Sequence, residues 1–202
     1  MDKKNLTTKE TFALAVQNHQ KNNLKVAGNL YKEILKTNPN HVDAHNNLGL
    51  VFQTFGDFQK AISFYQKAIQ IQPNYANAHN NLGIVLGKLG EYKKARSCYQ
   101  KAIEIQPDYV NAYNNLGIAL KELRDYKKAI SSYQKAIEIQ PDYENAHNNL
   151  GVALQKLWEL QKARNCYEKA IKIQPDYANA HNNLGNVLKE LGEHQKAISS
   201  YQ

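Results

Sequence analysis

The chain has little cysteine and no long apolar run, and each shortage excludes a class of protein. Two cysteines in 202 residues, Cys98 and Cys166, are too few for a disulfide-dense secreted scaffold and suit a reducing compartment. The apolar stretches are only a few residues long, far below the roughly 20 that cross a bilayer. The first residues, MDKKNLTTKE, are not followed by the apolar segment of a secretory signal. We therefore expect a cytoplasmic protein with no membrane partner.

The charge balance is basic, with a formal net charge of +8, which raises the hypothesis of nucleic-acid binding. Only Arg96, Arg124 and Arg164 are arginines. Many of the lysines recur at one position of a repeating pattern: Lys60, Lys94, Lys128, Lys162 and Lys196. This regularity favours a solvated face that is repeated along the chain over one basic patch, so we do not expect a nucleic-acid partner.

Proline is scarce, and its five occurrences are each 34 residues apart: Pro39, Pro73, Pro107, Pro141 and Pro175. Glycine keeps the same spacing at Gly49, Gly83, Gly117, Gly151 and Gly185. Leucine repeats it one position earlier, and tyrosine repeats it from Tyr31 to Tyr201. A fixed period of this length indicates a stacked array of supersecondary units, and 34 residues is the period of a helix-turn-helix unit.

The segment 76–109 shows what one unit contains. A first apolar stripe at helical spacing predicts a helix, through Ala78, Leu82, Val85, Leu86 and Leu89. Gly90 and Glu91 mark a turn, and a second stripe predicts a second helix, through Ala95, Tyr99, Ala102, Ile103 and Ile105. Pro107 cannot continue that helix, so the hairpin ends and the next one begins.

The order Leu-Gly, then Ala, Tyr, Ala and Pro resembles the tetratricopeptide repeat, from residue 8 to residue 202. The aromatic residue that this family places three residues before the Leu is mostly histidine here: His45, His79, His147 and His181, with Tyr113 as the exception. The resemblance implies an all-α, right-handed superhelical solenoid of antiparallel helix-turn-helix repeats whose first helices line a concave groove. It also implies a protein-binding scaffold.

The period divides the chain into an N-terminal tail, 1–7, and a single repeat array, 8–202. Within the array we expect a divergent capping repeat, four full repeats and a partial one: 8–41, 42–75, 76–109, 110–143, 144–177 and 178–202. The first repeat has Ala15 in place of the glycine, and Gly28 inside its second helix weakens that helix by about 1 kcal/mol relative to alanine. Divergence is typical of a terminal repeat, whose outer face meets water. Because the chain stops at Gln202, within a second helix, we expect it to be the N-terminal part of a larger protein.

Catalytic and metal-binding patterns are missing from the sequence. A metal site needs ligands that converge to roughly 2.0–2.1 Å from one ion. Histidines that occur once per hairpin are spread along the array instead, and a structural role with a hydrogen-bonded ring nitrogen explains them. No Ser/His/Asp group, glycine-rich phosphate loop or carboxylate pair stands out. We expect no enzyme activity, no catalytic residue, no metal and no cofactor.

Asparagine is the residue that points to a function. An inner set recurs one residue before the Leu: Asn47, Asn81, Asn115, Asn149 and Asn183. An outer set recurs four residues earlier, with Asp43 in that place in the second repeat: Asn77, Asn111, Asn145 and Asn179. The spacing of four places both sets on one stripe of the first helix. If first helices line the groove, these nine amides form a peptide-binding ladder, because each offers two donors and an acceptor to the main chain of an extended partner.

A second interpretation gives the same asparagines a structural role, in which they bond across neighbouring hairpins. The adjacent asparagines lie about 100° further round the helix and are weaker candidates for peptide contact: Asn46, Asn80, Asn114, Asn148 and Asn182.

The asparagine-lined face resembles the repeat domain of O-linked N-acetylglucosamine transferase, whose asparagine ladder holds substrate polypeptide. The lysine and arginine clamp that binds acidic chaperone tails in other family members is missing, because the matching positions hold Asn46, Leu50, Asn81, Asn111 and Asn115. We expect a protein or peptide partner. Two alternatives stay open: end-to-end self-association through the uncapped C-terminal repeat, and a targeting arm of a glycosyltransferase-like enzyme whose catalytic domain lies outside this sequence.

Overall fold

The chain forms a succession of short α-helices joined by short turns. The computed structural model describes residues 6–201, and this part of the chain contains twelve helices and no strand. The helices are α1 (Thr8–Gln20), α2 (Leu24–Thr37), α3 (Val42–Thr54), α4 (Phe58–Ile71), α5 (Ala76–Lys88), α6 (Tyr92–Ile105), α7 (Val110–Glu122), α8 (Tyr126–Ile139), α9 (Glu144–Lys156), α10 (Leu160–Ile173), α11 (Ala178–Glu190) and α12 (His194–Tyr201). Each odd-numbered helix begins at the first residue of a predicted repeat.

The second helix of a repeat ends two residues before the periodic proline. Gln106, for example, has φ −130° and ψ 93°, and its N–H still donates to the carbonyl of Ala102. A proline clashes with an α-helical conformation of the residue that precedes it, which forces that residue into an extended conformation. Gln72, Gln140 and Gln174 have the same extended conformation. The periodic prolines therefore set the end of every complete second helix from α4 to α10.

The turn inside each hairpin contains one residue in the left-handed region. Three of the six turns use glycine there: Gly56, Gly90 and Gly192, with φ of 77–80°. The other three use residues with a side chain: Asn22, Arg124 and Trp158, with φ of 59–61°. The left-handed conformation costs a residue with a Cβ roughly 1–2 kcal/mol. The turn shape is therefore kept in every hairpin, at a conformational cost in three of them.

Two compact units make up the chain, one ending at Gly90 and the other beginning at Glu91. In the first unit α1 packs on α2 and α3 on α4, while α2 and α4 also contact the first helix of the following hairpin. Its core is built around two fully buried tyrosines, Tyr31 and Tyr65. Gly49 leaves room for one of them, because a Cβ at this position would lie 2.6 Å from Cε1 of Tyr65.

The second unit repeats this arrangement from α6 to α12, with hairpins α7–α8, α9–α10 and α11–α12. Gly151 faces Tyr167 as Gly49 faces Tyr65, with 2.5 Å between a Cβ built on the glycine and Cε1 of the tyrosine. The predicted fold class, an all-α solenoid of antiparallel helix-turn-helix repeats with a 34-residue period, is confirmed. The assignment of one continuous array from residue 8 to residue 202 stays a prediction. No helix in the described part of the chain has the length and apolar content needed to cross a membrane.

Candidate functional site

The inner and outer asparagines lie on α3 and α5 in the first unit and on α7, α9 and α11 in the second, and we call them the asparagine face of each unit. The structure places them all on first helices, four residues apart within each helix, as the sequence predicts. The inner asparagines, Asn47, Asn81, Asn115, Asn149 and Asn183, are all partly buried. Of the outer asparagines, Asn77, Asn111 and Asn179 are exposed and Asn145 is partly buried.

The inner asparagines bond to the preceding repeat. The Nδ2 of Asn149 donates to Oδ1 of Asn114 at 3.0 Å. The same bond joins Asn81 to Asn46 at 3.0 Å, and Asn183 to Asn148 at 2.9 Å. The accepting asparagines are 4–6% exposed. These three asparagines bond across neighbouring hairpins, as the structural interpretation predicts.

The outer positions accept hydrogen bonds from tyrosines that precede the next first helix. The hydroxyl of Tyr143 donates to Oδ1 of Asn111 at 3.0 Å, and that of Tyr177 donates to Oδ1 of Asn145 at 2.8 Å. Asp43 takes the outer place in its repeat and accepts from Tyr75 at 2.6 Å. The sequence analysis missed these tyrosines as partners, although they recur 32 residues after the outer position.

The inter-repeat bond leaves part of the carboxamide available in Asn81, Asn149 and Asn183. A carboxamide has two N–H donors and an oxygen with two lone pairs. Asn149 uses one N–H on the buried Asn114, which fixes the plane of its amide. Its second N–H and its oxygen form no other hydrogen bond in the described part of the chain. Both groups are already oriented before a ligand binds. An interaction surface that is ordered in advance loses less conformational entropy when a partner binds.

The rest of the stripe is aliphatic and then mixed in charge. Leu50, Ile84, Ile118 and Val152 lie one turn beyond the inner asparagines and are partly buried. The next turn exposes residues of both signs and one hydroxyl: Thr54, Lys88, Glu122, Lys156 and Glu190. The face therefore offers amides and short apolar contacts, without the run of cations that would select an acidic ligand.

The periodic histidines support the loops between hairpins. Nε2 of His45 lies 2.8 Å from the carbonyl of Pro39, and Nε2 of His147 lies 2.9 Å from that of Pro141. His79 and His181 make the same contact with Pro73 and Pro175. A carbonyl can only accept, so each Nε2 carries the proton. The predicted structural role is confirmed, and within residues 6–201 no three potential ligands come together for a metal ion.

The periodic lysines pair with the acidic residue three positions earlier. Lys60 lies 2.6 Å from Asp57, and Lys128 lies 3.1 Å from Asp125. Lys94, Lys162 and Lys196 make the same contact with Glu91, Glu159 and Glu193. Such exposed pairs contribute little to stability, but each periodic lysine has a carboxylate beside it, so this repeated face is not a run of unpaired cations.

The cysteines are not equipped as nucleophiles. Cys98 and Cys166 are free thiols, and burial raises the pKa of each to about 11. At neutral pH the thiolate, which is the reactive form, is then a very small fraction. Neither cysteine suggests a catalytic site.

Sequence models of known families match most of this chain. A model described as "Tetratricopeptide repeat" matches residues 43–108 and 74–142, and one described as "TPR repeat" matches residues 159–192. Together they cover more than half of the chain. A comparison with curated protein sequences found no match.

Solved structures with a similar fold are numerous: 527 chains match this one. The fold alone therefore does not specify a partner. The protein MamA is 27% identical with a TM-score of 0.72, over 81% of this chain and 96% of its own. PilF from Pseudomonas aeruginosa is 22% identical with a TM-score of 0.86, over 96% of this chain and 88% of its own. YrrB, described as a TPR protein with an unusual peptide-binding site, is 22% identical with a TM-score of 0.69, over 84% of this chain and 88% of its own. PilF and YrrB share the fold with this chain.

Proposed function

Since the chain belongs to the tetratricopeptide repeat family, whose members serve as protein-interaction scaffolds, we propose that it binds extended polypeptide along the asparagine face of each unit. The nine predicted contact residues are Asn47, Asn81, Asn115, Asn149, Asn183, Asn77, Asn111, Asn145 and Asn179. They supply hydrogen bonds to the main chain of the partner.

One observation carries this proposal. The amides of Asn81, Asn149 and Asn183 are each fixed by a bond to a buried asparagine of the preceding repeat. All three remain partly exposed, with a donor and an acceptor left over. An extended peptide offers N–H and C=O groups in regular alternation along its length, which matches a row of such amides. Contacts of this kind read the backbone, so the scaffold accepts partners of varied sequence.

The test compares two sets of three alanine substitutions that break the same inter-repeat bonds. The surface set replaces Asn81, Asn149 and Asn183, which removes the exposed amides. The control set replaces their buried acceptors, Asn46, Asn114 and Asn148, which leaves the exposed amides in place. Both sets lose these three hydrogen bonds, and the control set also loses the bond from Asn46 to Asn47 at 3.2 Å. Thermal melts by circular dichroism define a temperature at which both variants are folded.

Binding is measured by fluorescence anisotropy with labelled peptides of mixed sequence, about 15 residues long, or roughly 50 Å when extended. The surface set should bind at least tenfold more weakly than the parent chain. The control set keeps the exposed amides but not the bonds that orient them, so it should lose less affinity. Peptides with methylated backbone nitrogens, which cannot donate, should also bind weakly to the parent chain. If the surface set binds as tightly as the parent, or both sets lose affinity equally, the asparagine face is not the peptide site.

End-to-end association of copies is a second candidate. Asn182 is exposed, although Asn46, Asn114 and Asn148 are buried at the same position of the repeat, and Ile198 is 53% exposed. A second copy stacked through α1 would bring Ala13 to the place of an inner asparagine, and alanine cannot donate the inter-repeat bond. Sedimentation at rising protein concentration decides this candidate: a monomer at every concentration excludes it. A glycosyltransferase-like parent protein stays a prediction.

A further inference from the structure

A groove of about 610 Å³ lies between α8 and α10, away from the asparagine face. Ile137 of α8 and Ile173 of α10 line it together with the buried His147 of α9. Successive residues of a helix are about 100° apart, so His147 projects from the side of α9 opposite to Asn145 and Asn149. The groove is therefore a separate surface from the one proposed to bind extended peptides.

The rim of this groove is basic. Lys169 and Lys172 are both exposed and both line it, and Asp142 is the one carboxylate among its lining residues. Glu168, the acidic residue nearest to them in sequence, is held by Arg164 at 2.7 Å. The groove thus combines an apolar interior with two cations against one anion.

Comparison with the other repeats shows that this basic rim is a departure from the pattern. The position of Lys172 holds Gln70, Glu104 and Glu138 in the three preceding repeats. In each of these the side chain contacts the lysine three residues earlier, with distances of 3.1 Å from Lys67, 3.0 Å from Lys101 and 2.8 Å from Lys135. Lys172 removes that partner and adds a second positive charge. Among residues 6–201, neither Lys169 nor Lys172 forms an ion pair.

The helix dipole alone does not explain Lys172. A cation in the last turn is favoured by the helix dipole, by roughly 0.3–1 kcal/mol at the surface. However, α6 and α8 end in the same sequence context without a basic residue in their last turn. The first repeat also has a lysine at this position, Lys36, but there Glu33 stands three residues earlier. The pair of lysines occurs only in the repeat that forms the groove, among the five repeats that reach this position.

We propose that this groove binds a peptide segment in which an apolar side chain is followed by a carboxylate. The apolar side chain would lie between Ile137 and Ile173, where its burial removes apolar surface from water. The carboxylate would lie between the ammonium groups of Lys169 and Lys172. Charge complementarity at a partly apolar site selects an acidic ligand over neutral and basic ones.

The probe is the peptide acetyl-Gly-Gly-Leu-Asp-Gly-amide, added to the full chain labelled with ¹⁵N and followed by two-dimensional NMR. Amide shifts should move around Ile137, His147 and Ile173. The counterpart with Asn in place of Asp should bind about tenfold more weakly or worse, because it lacks the charge. Hexanoate, which has an apolar body and a carboxylate without a peptide backbone, distinguishes a fatty acid from a peptide.

Lys172→Glu is the decisive variant, because it reverses the added charge and allows the ion pair with Lys169 that the two preceding repeats have. It should fold as well as the parent chain and lose binding of the Asp peptide by about tenfold or more. Lys127→Glu, at the other end of α8, makes the same change of charge and should bind normally. The alanine set at Asn81, Asn149 and Asn183 should also leave this binding unchanged, so the two proposed sites can fail independently.

Three results would overturn the proposal. Equal binding of the Asp and Asn peptides would show that the groove does not recognise the negative charge. Unchanged binding by Lys172→Glu would show that the peptide does not bind beside Lys172. Binding of hexanoate without binding of the peptide would assign the groove to a different class of ligand.

Discussion

The side-chain amide of Asn149 donates to the side-chain oxygen of Asn114, which lies 35 residues earlier and is 5% exposed. This bond joins two repeats, so residues of the asparagine face stabilise the packing between repeats as well as presenting amides to solvent. A test of function at these residues therefore has to separate stability from binding.

The Asn149–Asn114 bond gives the first prediction. Asn149→Ala should lower the free energy of unfolding by about 1–3 kcal/mol, because the buried oxygen of Asn114 is left without a donor. Asn179→Ala, at an exposed outer position, should change it by less than about 0.5 kcal/mol. Urea denaturation measures both. Equal small effects would show that the inter-repeat bond does not stabilise the fold.

Replacing either of two glycines by alanine should change the stability of the fold in opposite directions. Gly151→Ala should destabilise the chain by about 1–3 kcal/mol, because the new Cβ would lie 2.5 Å from Tyr167 and force a shift in the core. Gly28→Ala places its Cβ 3.4 Å from the side chain of Val51, an ordinary contact, and gains about 0.5–1 kcal/mol of helix propensity. Thermal and urea unfolding of both variants check the pair. A stabilised Gly151→Ala would contradict the close approach of the helices.

Tyr133 predicts a stabilising substitution. Its hydroxyl is buried without a hydrogen-bond partner, whereas Tyr65 and Tyr167 donate to Gln53 and Gln155 at 2.8 and 3.0 Å. Lys121 occupies the position of those glutamines in the repeat of Tyr133. Lys121→Gln should supply the partner and raise the free energy of unfolding by about 1 kcal/mol.

The control for that substitution is the same change in a chain with Tyr133→Phe, which has no hydroxyl to satisfy. The gain should disappear in this background. A gain that persists would come from the helix surface and not from the tyrosine.

The turn that contains Trp158 should become more stable when its left-handed residue is replaced by glycine. It is 78% exposed and has φ 59°, in a turn position that glycine occupies in three other hairpins. Trp158→Gly should raise the free energy of unfolding by about 0.5–1 kcal/mol, since relief of the left-handed strain exceeds the entropy that glycine adds to the unfolded chain. Gly192→Ala makes the reverse change, with no atom near its Cβ, and should lower stability by about 1 kcal/mol. If Trp158→Gly is destabilising, the indole contributes contacts that outweigh the strain.

His45 predicts a loss of stability in acid. Burial lowers its pKa below the usual 6.5, an effect that Lys67 and His41 reinforce and that the contact with the Pro39 carbonyl opposes. Its Nδ1 is buried without a partner, so protonation would add a buried donor with no acceptor. Since the unfolded chain takes up the proton first as the pH falls, the contribution of neutral His45 is complete above the unfolded pKa. It is lost as the pH falls below about 6.5.

The measurement is urea unfolding at several values between about pH 7.5 and pH 5.5. His45→Tyr, which copies Tyr113 at the same position of another repeat, should show a smaller decrease over this range. The parent chain, measured under the same conditions, provides the reference. An unchanged slope in His45→Tyr would assign the acid sensitivity to other groups.

The sequence by itself determined the period, the helix boundaries and the class of fold. Local rules decide these features: a proline forces the residue before it out of the helix, and apolar residues at helical spacing define the buried faces. The asparagine stripe was also visible, because residues four apart share a face of any helix.

Only the tertiary structure shows which groups those asparagines bond to within the chain. The sequence left Asn149 as either a ligand contact or an inter-repeat donor, since its partner Asn114 lies 35 residues away and packing between repeats brings the two together. The groove beside Lys172 has the same origin: the identity of that lysine can be read from the sequence, but its cavity exists only where α8 and α10 pack around α9. Periodicity fixes which side of a helix a residue occupies, and contacts between helices fix which groups it meets there.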